Sequence, residues 1–261
     1  VKADGLTSMQ LESGELTVVG RLAAASNATL KCEIERLACV YKPVRGERPL
    51  WDFPEWTLGH RELAAYELAQ ALGWELVPTT VWRTDGPLGP GMCQAWIEDP
   101  TDSDRSPIAV VPEGAIPEGY VHVLDAEDGA GNAVALVHED AVDLARIAAF
   151  DILANNADRK AGHVIVGQGR RLWAIDHGVT FAVEPKLRSV LWGWIGEPVP
   201  ETILADVSSL ADALADGLDP VDRWLAEQER AALRERVHHL LRTAVFPEPS
   251  GQWPAIPWPV F

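Results

Sequence analysis

The sequence predicts an α+β fold in two lobes, a β-rich N-terminal lobe over residues 1–97 and a mainly helical C-terminal lobe over residues 98–261. Three observations carry that prediction. β-Branched and aromatic residues crowd the stretch 29–41, apolar residues recur at helical spacing in the second half, and the segment 98–119, rich in Asp, Ser, Pro and Gly, shows no period and reads as a connection between lobes.

In chain order, residues 15–22 read as a first strand and residues 29–41 as two more. Between them lie small residues, with Ser26-Asn27 as a hairpin tip whose backbone N–H groups could lie over a phosphate chain. A loop rich in Pro, Gly and Arg, 44–55, leads to a helix over 58–72, stopped by Gly73. Strands follow at 77–82 and 92–97, joined by the turn-rich stretch 85–91. Beyond the connection come a small hairpin (121–124 with 133–137), a helix over 139–153, and helices over 200–215 and 220–243. The tail from Phe246 carries Pro247, Pro249, Pro254, Pro257 and Pro259, which forbid regular structure and leave Trp253, Trp258 and Phe261 as isolated anchors.

Composition narrows the function. With 22 Lys+Arg against 39 Asp+Glu, the formal net charge is -17, which repels nucleic acid and anionic membrane. No apolar run approaches the ~18 residues of a membrane helix and the N-terminal stretch is too polar for a secretion signal, so a cytoplasmic location is expected. Cys32, Cys39 and Cys93 are odd in number and form no CxxC pair, which argues for reduced, buried thiols rather than a disulfide framework or a zinc site.

The chemistry concentrates between Asn155 and Gly178. Asn155, Asn156, Asp158, Arg159, Lys160 and His163 stand between an apolar helix and an apolar strand, where burying so many polar groups is costly and lining a wet cleft is not. The turn around 167–170 and the strand Leu172-Trp173-Ala174 then bring Asp176-His177-Gly178 back towards them, so that one divalent ion could sit between Asp158, His163 and Asp176. Phosphoryl transfer needs such a pair of carboxylates, one to hold a metal against phosphate charge and one to orient the incoming hydroxyl. Asp176, at a strand end followed by Gly178, suits the metal; Asp158 suits the acceptor side, flanked by Arg159 and Lys160, which could hold phosphate charge. Lys42, on a short apolar strand, needs an anionic partner, and Glu62 on the following helix is the candidate. Taken singly, Asn155, Asn156 and Asp158 equally well cap a helix end and a turn, Asp176-His177-Gly178 equally well forms a tight turn, and His163 is equally well a satisfied core histidine. The alternative for Lys42 is a side chain snorkelling to solvent, with Glu62 paired to Arg61, His60 or water.

On these residues the chain resembles the atypical kinases of the phosphatidylinositol 3-/4-kinase superfamily, whose catalytic core is similar to that of HipA toxin kinases. Asn156-Ala157-Asp158-Arg159 looks like their catalytic loop, Ile175-Asp176-His177-Gly178 like their metal-binding motif, and Cys39-Val40-Tyr41-Lys42-Pro43 like their nucleotide-lysine strand. The resemblance implies a protein-kinase-like fold, with Asp158, Lys42, Glu62 and Arg159 as catalytic residues. It also implies that Gln94, Trp96 and Ile97 form the hinge that meets adenine, that Ser26 and Asn27 face phosphate, and that ATP is used with Mg²⁺ or Mn²⁺. Two departures stand out. His163 occupies the position of a metal-ligating Asn, which favours a softer ion such as manganese or a single-metal site, and residues 20–27 form no GxGxxG loop.

The acceptor expected from the charge is a hydroxyl of a protein or small molecule rather than a lipid headgroup, since no basic anchor offsets the net charge of -17. Three other readings stay open at this stage: a nucleotide-binding regulator without turnover, a phosphoinositide kinase, and a metal-dependent hydrolase built on Asp158, His163, Asp176 and His177.

Overall fold

The computed structural model describes residues 6–22, 27–54, 57–98 and 106–261. Ser26, expected to face phosphate, lies outside the described residues. Among the described residues the architecture is a mixed α/β arrangement of three antiparallel sheets and a set of packed helices.

A short helix, α1 (Ser8–Ser13), opens the described chain. Thr7 caps it by accepting from the Gln10 backbone N–H. Five strands follow in one sheet: β1 (Thr17–Arg21), β2 (Leu30–Ile34) and β3 (Leu37–Pro43), then β4 (Thr80–Gly86) and β5 (Gly89–Ala95), ordered β1-β2-β3-β5-β4. β2 and β3 join through Glu35-Arg36, both at positive φ (52° and 70°), the backbone of a tight two-residue hairpin. Leu6 and Leu11 close over one face of this sheet, against Cys32, Cys39 and Cys93, which are free and buried.

The hairpin of β4 and β5 corrects an expectation. Residues 85–91 were expected to form a long turn, yet both strands run through them and Gly86 pairs with Gly89 across a two-residue turn. Gly91 explains why a glycine-rich stretch serves as strand here: a Cβ on it would clash with the Lys42 carbonyl oxygen. The missing side chain lets β5 lie close to the strand that carries Lys42.

Between β3 and β4 the helix α2 (Leu58–Ala71) packs Ala64, Ala65, Leu68 and Ala69 into the main core, alongside α3 (Val142–Ala154), α4 (Glu201–Ala215) and α6 (Glu227–Thr243). The part beyond residue 98 is less purely helical than expected. Within 98–119, read as an aperiodic connection, Ile108–Pro112 forms β6, which pairs with β8 (Ala133–Glu139); β7 (Tyr120–Glu127) flanks β8 on its other side. The hairpin of β9 (Val164–Val166) and β10 (Leu172–Ala174) follows α3 as expected.

The helix expected over 220–243 is two. α5 (Asp219–Asp222) ends before Trp224, and α6 starts afresh after Ala226, whose extended backbone donates its N–H to Glu229 Oε2. The tail has no regular structure, but Trp258 and Phe261 are not anchors: they are 83% and 61% exposed. Phe246, Ile256 and Val260 pack on the main core instead. Among the described residues no helix is long and apolar enough to cross a membrane.

Candidate active site

β3 places the Lys42 side chain under the main sheet, where its Nζ lies 2.5 Å from Glu62 Oε1 and 2.7 Å from Asp176 Oδ1. Glu62 comes from the second turn of α2 and is buried; its other oxygen, Oε2, accepts the His177 backbone N–H at 2.9 Å. The three residues read from sequence as lysine, helix partner and metal carboxylate thus meet at one point. Asp176 takes a left-handed backbone, φ 60°, just after β10. The turn that frees its carboxylate is therefore made at Asp176 itself, a residue type that tolerates αL, rather than at Gly178.

Electrostatics follow from this packing. Burial pushes the Lys42 ammonium down, but Asp176 and Glu62 outweigh it and hold the group well above the ordinary lysine value. The same ammonium holds the Asp176 carboxyl far below the usual carboxylate range, while burial pushes Glu62 up despite its lysine partner. The cluster carries one cation against two carboxylates, one of which, Asp176, remains 49% exposed towards the cleft.

This cluster forms the polar end of a cavity of about 320 Å³. Val40 lines it from the five-stranded sheet and Leu22 from the residue after β1, with Ile165 and Ile175 from the β9–β10 hairpin and the residue after it. Apolar walls on opposite sides with charge at one end are the usual shape of a site for a flat, charged ligand. Gln94, Trp96 and Ile97 also line the cavity; Gln94 Nε2 donates to Thr80 Oγ1, and the Trp96 N–H is taken by the Ala38 carbonyl. Asn27 Oδ1 accepts from the Arg48 backbone N–H. A roomier cavity of about 520 Å³ lies between α6 and residues 183–187. The ion-pair cluster, not volume, marks the smaller one.

His163 stands beside Asp176, Nε2 to Oδ2 3.5 Å, and its Nδ1 is buried without a hydrogen-bond partner. Burial holds this imidazole below its ordinary pKa, hence neutral and able to donate a lone pair. Among the described residues no group of three or more His, Cys, Asp or Glu side chains is arranged to hold a metal. Asp176 with a neutral His163 therefore does not make a self-sufficient centre. It does fit an ion shared between one carboxylate, an imidazole and the phosphates of a ligand.

Asp158 lies on the loop after α3, its carboxylate 3.2 Å from Lys160 Nζ and its backbone N–H on Asn156 Oδ1. Arg159 does not share this position. It is fully buried, with Nε and Nη2 both 2.8 Å from the two oxygens of Asp151, Nη1 donating to the Ile175 carbonyl, and Nη2 2.8 Å from His177 Nε2. The expectation that Arg159 holds phosphate charge is therefore corrected: all its donors face the interior, where it joins the Asp158 loop to the Asp176 loop. Sequence reasoning missed its partner Asp151, which also accepts from Asn156 Nδ2. The signal was a lone carboxylate inside the apolar run Phe150-Asp151-Ile152-Leu153.

No family model matches the chain. Protein Rv2133c of Mycobacterium tuberculosis (strain H37Rv) is 49% identical to it, over 96% of this chain and 94% of that protein. The chain belongs to the family of Protein Rv2133c. Among solved structures, the Helicobacter pylori proinflammatory kinase CtkA aligns over 90% of this chain and 94% of its own, with a TM-score of 0.48 and 10% identity. A likeness of that degree carries no argument about what the Rv2133c family does. The functional reading rests on the residues themselves.

Proposed function

We propose that the chain is a metal-dependent phosphotransferase with a two-lobed, protein-kinase-like fold, moving the γ-phosphoryl group of ATP to a hydroxyl of a protein or small molecule. The cleft lies between residues 1–97 and residues 98–261. The observation that carries the reading is the Lys42 ammonium held between Glu62 and Asp176 at the charged end of an apolar-walled cavity.

In this reading Glu62 fixes the direction of Lys42, and the ammonium meets the phosphates on entry of the nucleotide. Asp176, with His163 beside it, would hold Mg²⁺ or Mn²⁺, which when bound neutralises phosphate charge. Leu22, Val40, Ile165 and Ile175 enclose the base, with Gln94, Trp96 and Ile97 along its edge, and Asn27 lies towards the phosphate side. Asp158 accepts the proton of the acceptor hydroxyl and orients it. Arg159 serves as the interior brace for both loops. An acceptor without strong negative charge suits a chain of net charge -17.

The test is transfer of label from γ-labelled ATP, to protein or to inorganic phosphate, with Mg²⁺ and with Mn²⁺. Turnover by the parent chain that falls about 10²-fold or more in Asp158→Asn, with the fold retained, is the expected result. Turnover unchanged by Asp158→Asn would remove the reading. Turnover that falls in Asp158→Asn but is unchanged, with nucleotide affinity, in Lys42→Met would replace it with metal-dependent hydrolysis, which has no use for the Lys42–Glu62 pair.

A further inference from the structure

We propose that Arg188 is a positioning residue: it straps the tail segment 254–260 against the loop that carries Asp158. The effect on rate rests on the phosphotransferase reading; the effect on structure does not.

Residues 156–161 belong to no strand or helix apart from a single 3₁₀ turn that begins at Ala161, so their backbone groups must find partners elsewhere. The Asn156 N–H donates to the Asp151 carbonyl and the Ala157 N–H to the Val179 carbonyl; other groups of the loop find partners in two layers. The first is the segment 188–190: the Arg188 N–H donates to the Asn156 carbonyl (2.9 Å), the Arg159 N–H to the Arg188 carbonyl (3.1 Å), and the Val190 N–H to the Arg159 carbonyl (3.1 Å). This makes a parallel bridge between Arg159 and Ser189. The second layer is the tail. The Ala161 N–H donates to the Val260 carbonyl and the Ser189 N–H to the Ala255 carbonyl, which also accepts from Trp192 Nε1.

Arg188 links the layers through its side chain as well as its backbone. Its Nε donates to the Pro254 carbonyl at 3.0 Å and its Nη2 to the Ile256 carbonyl at 3.3 Å. The prolines at 254, 257 and 259 leave the tail unable to form a ladder of its own, so these carbonyls are free to face the guanidinium. A charged donor serving two neutral carbonyls is the strong form of such a bond. One residue therefore touches the Asp158 loop by its backbone and grips the segment that covers that loop by its side chain. Lys42, Glu62 and Asp176 make none of these contacts.

The experiment compares the parent chain, Arg188→Met, Arg188→Lys and a chain ending at Pro257, which lacks the Val260 carbonyl. Hydrogen exchange at Ala161 and its neighbours is measured beside kcat and KM for ATP. The clamp predicts exchange in 156–163 faster by about tenfold or more in Arg188→Met and in the shortened chain, with partial recovery in Arg188→Lys. It predicts kcat lowered by about tenfold with KM for ATP within about twofold of the parent, since a misplaced group costs rate rather than nucleotide binding. Exchange and kcat equal to the parent in both variants would overturn the proposal, as would faster exchange spread over the whole chain. If the parent transfers no phosphoryl group, the phosphotransferase reading fails, and exchange at Ala161 alone decides for or against the clamp.

Discussion

Two basic residues, Lys42 and Arg159, sit at the centre of two charge clusters that share one loop, and they are built to opposite ends. Lys42 meets Glu62 and Asp176 at the edge of a cavity, with Asp176 half exposed. Arg159 meets Asp151 with both partners 1% exposed or less, and its remaining donors go to carbonyls and His177. Lysine is a compact, strongly hydrated charge that can exchange partners; the arginine fork fits a carboxylate bidentately and is hard to replace. In the proposed function the first cluster is remade around an incoming phosphate, while the second is a permanent brace. In that reading function belongs to the cluster that stays open, and stability to the one that does not.

The largest effect expected from this contrast is on Arg159. Arg159→Met leaves Asp151 buried and unpaired and lowers stability by about 3–5 kcal/mol, read by urea unfolding. Lys42→Met lowers stability clearly less, because Asp176 faces solvent and Glu62, already pushed up by burial, can take up a proton. Its effect is on phosphoryl transfer, lowered about 10²–10³-fold. Equal destabilisation by the two variants would break the contrast.

A pH dependence sharpens it. His138 is another permanent contact, fully buried, with Nδ1 on the Glu139 carbonyl and Nε2 accepting the Gly193 N–H. Burial holds it below the ordinary value of 6.5 despite the Glu139 carbonyl and Asp140 nearby. The unfolded imidazole protonates near 6.5 while the folded one stays neutral, so the unfolded state binds more protons and stability falls as pH drops below 6.5. The slope attributable to His138 is at most about 1.4 kcal/mol per pH unit, and His138→Gln flattens a plot of melting temperature against pH in that range. The smallest effect is on Asn27→Ala, which removes the bond to the Arg48 N–H and costs about 1 kcal/mol or less. KM for ATP should change by less than about threefold; a larger change, read by steady-state kinetics, would assign Asn27 a direct phosphate contact.

Much of this was legible in the sequence where one physical signal dominated. The period of 58–72 gave α2 almost to the residue, and a lysine on an apolar strand required an anion, which Glu62 supplies. β6 was hidden because its five residues sit inside a stretch whose Pro, Gly and Asp content masks alternation. The β4–β5 hairpin was hidden for the reverse reason, Gly91 being used for close strand approach rather than for a turn. Helical periodicity ran through Trp224 and Leu225 unbroken, while the chain breaks there so that Glu229 can cap α6 and pair with Arg61. The inward turn of Arg159 could not be read, because it depends on Asp151 lying one helical turn from the end of α3, a contact set by the tertiary fold.

The claim on which the proposed function depends is that the cavity at Lys42 takes a nucleoside triphosphate with a metal ion. Calorimetric titration with a non-hydrolysable ATP analogue measures this directly, with Mg²⁺, with Mn²⁺ and with neither, on the parent chain, Lys42→Met and Asp176→Asn. The account predicts metal-dependent binding to the parent, a Kd raised about tenfold or more in Lys42→Met, and loss of the metal dependence in Asp176→Asn. Absence of binding to the parent, or equal affinity in all three chains, would contradict it.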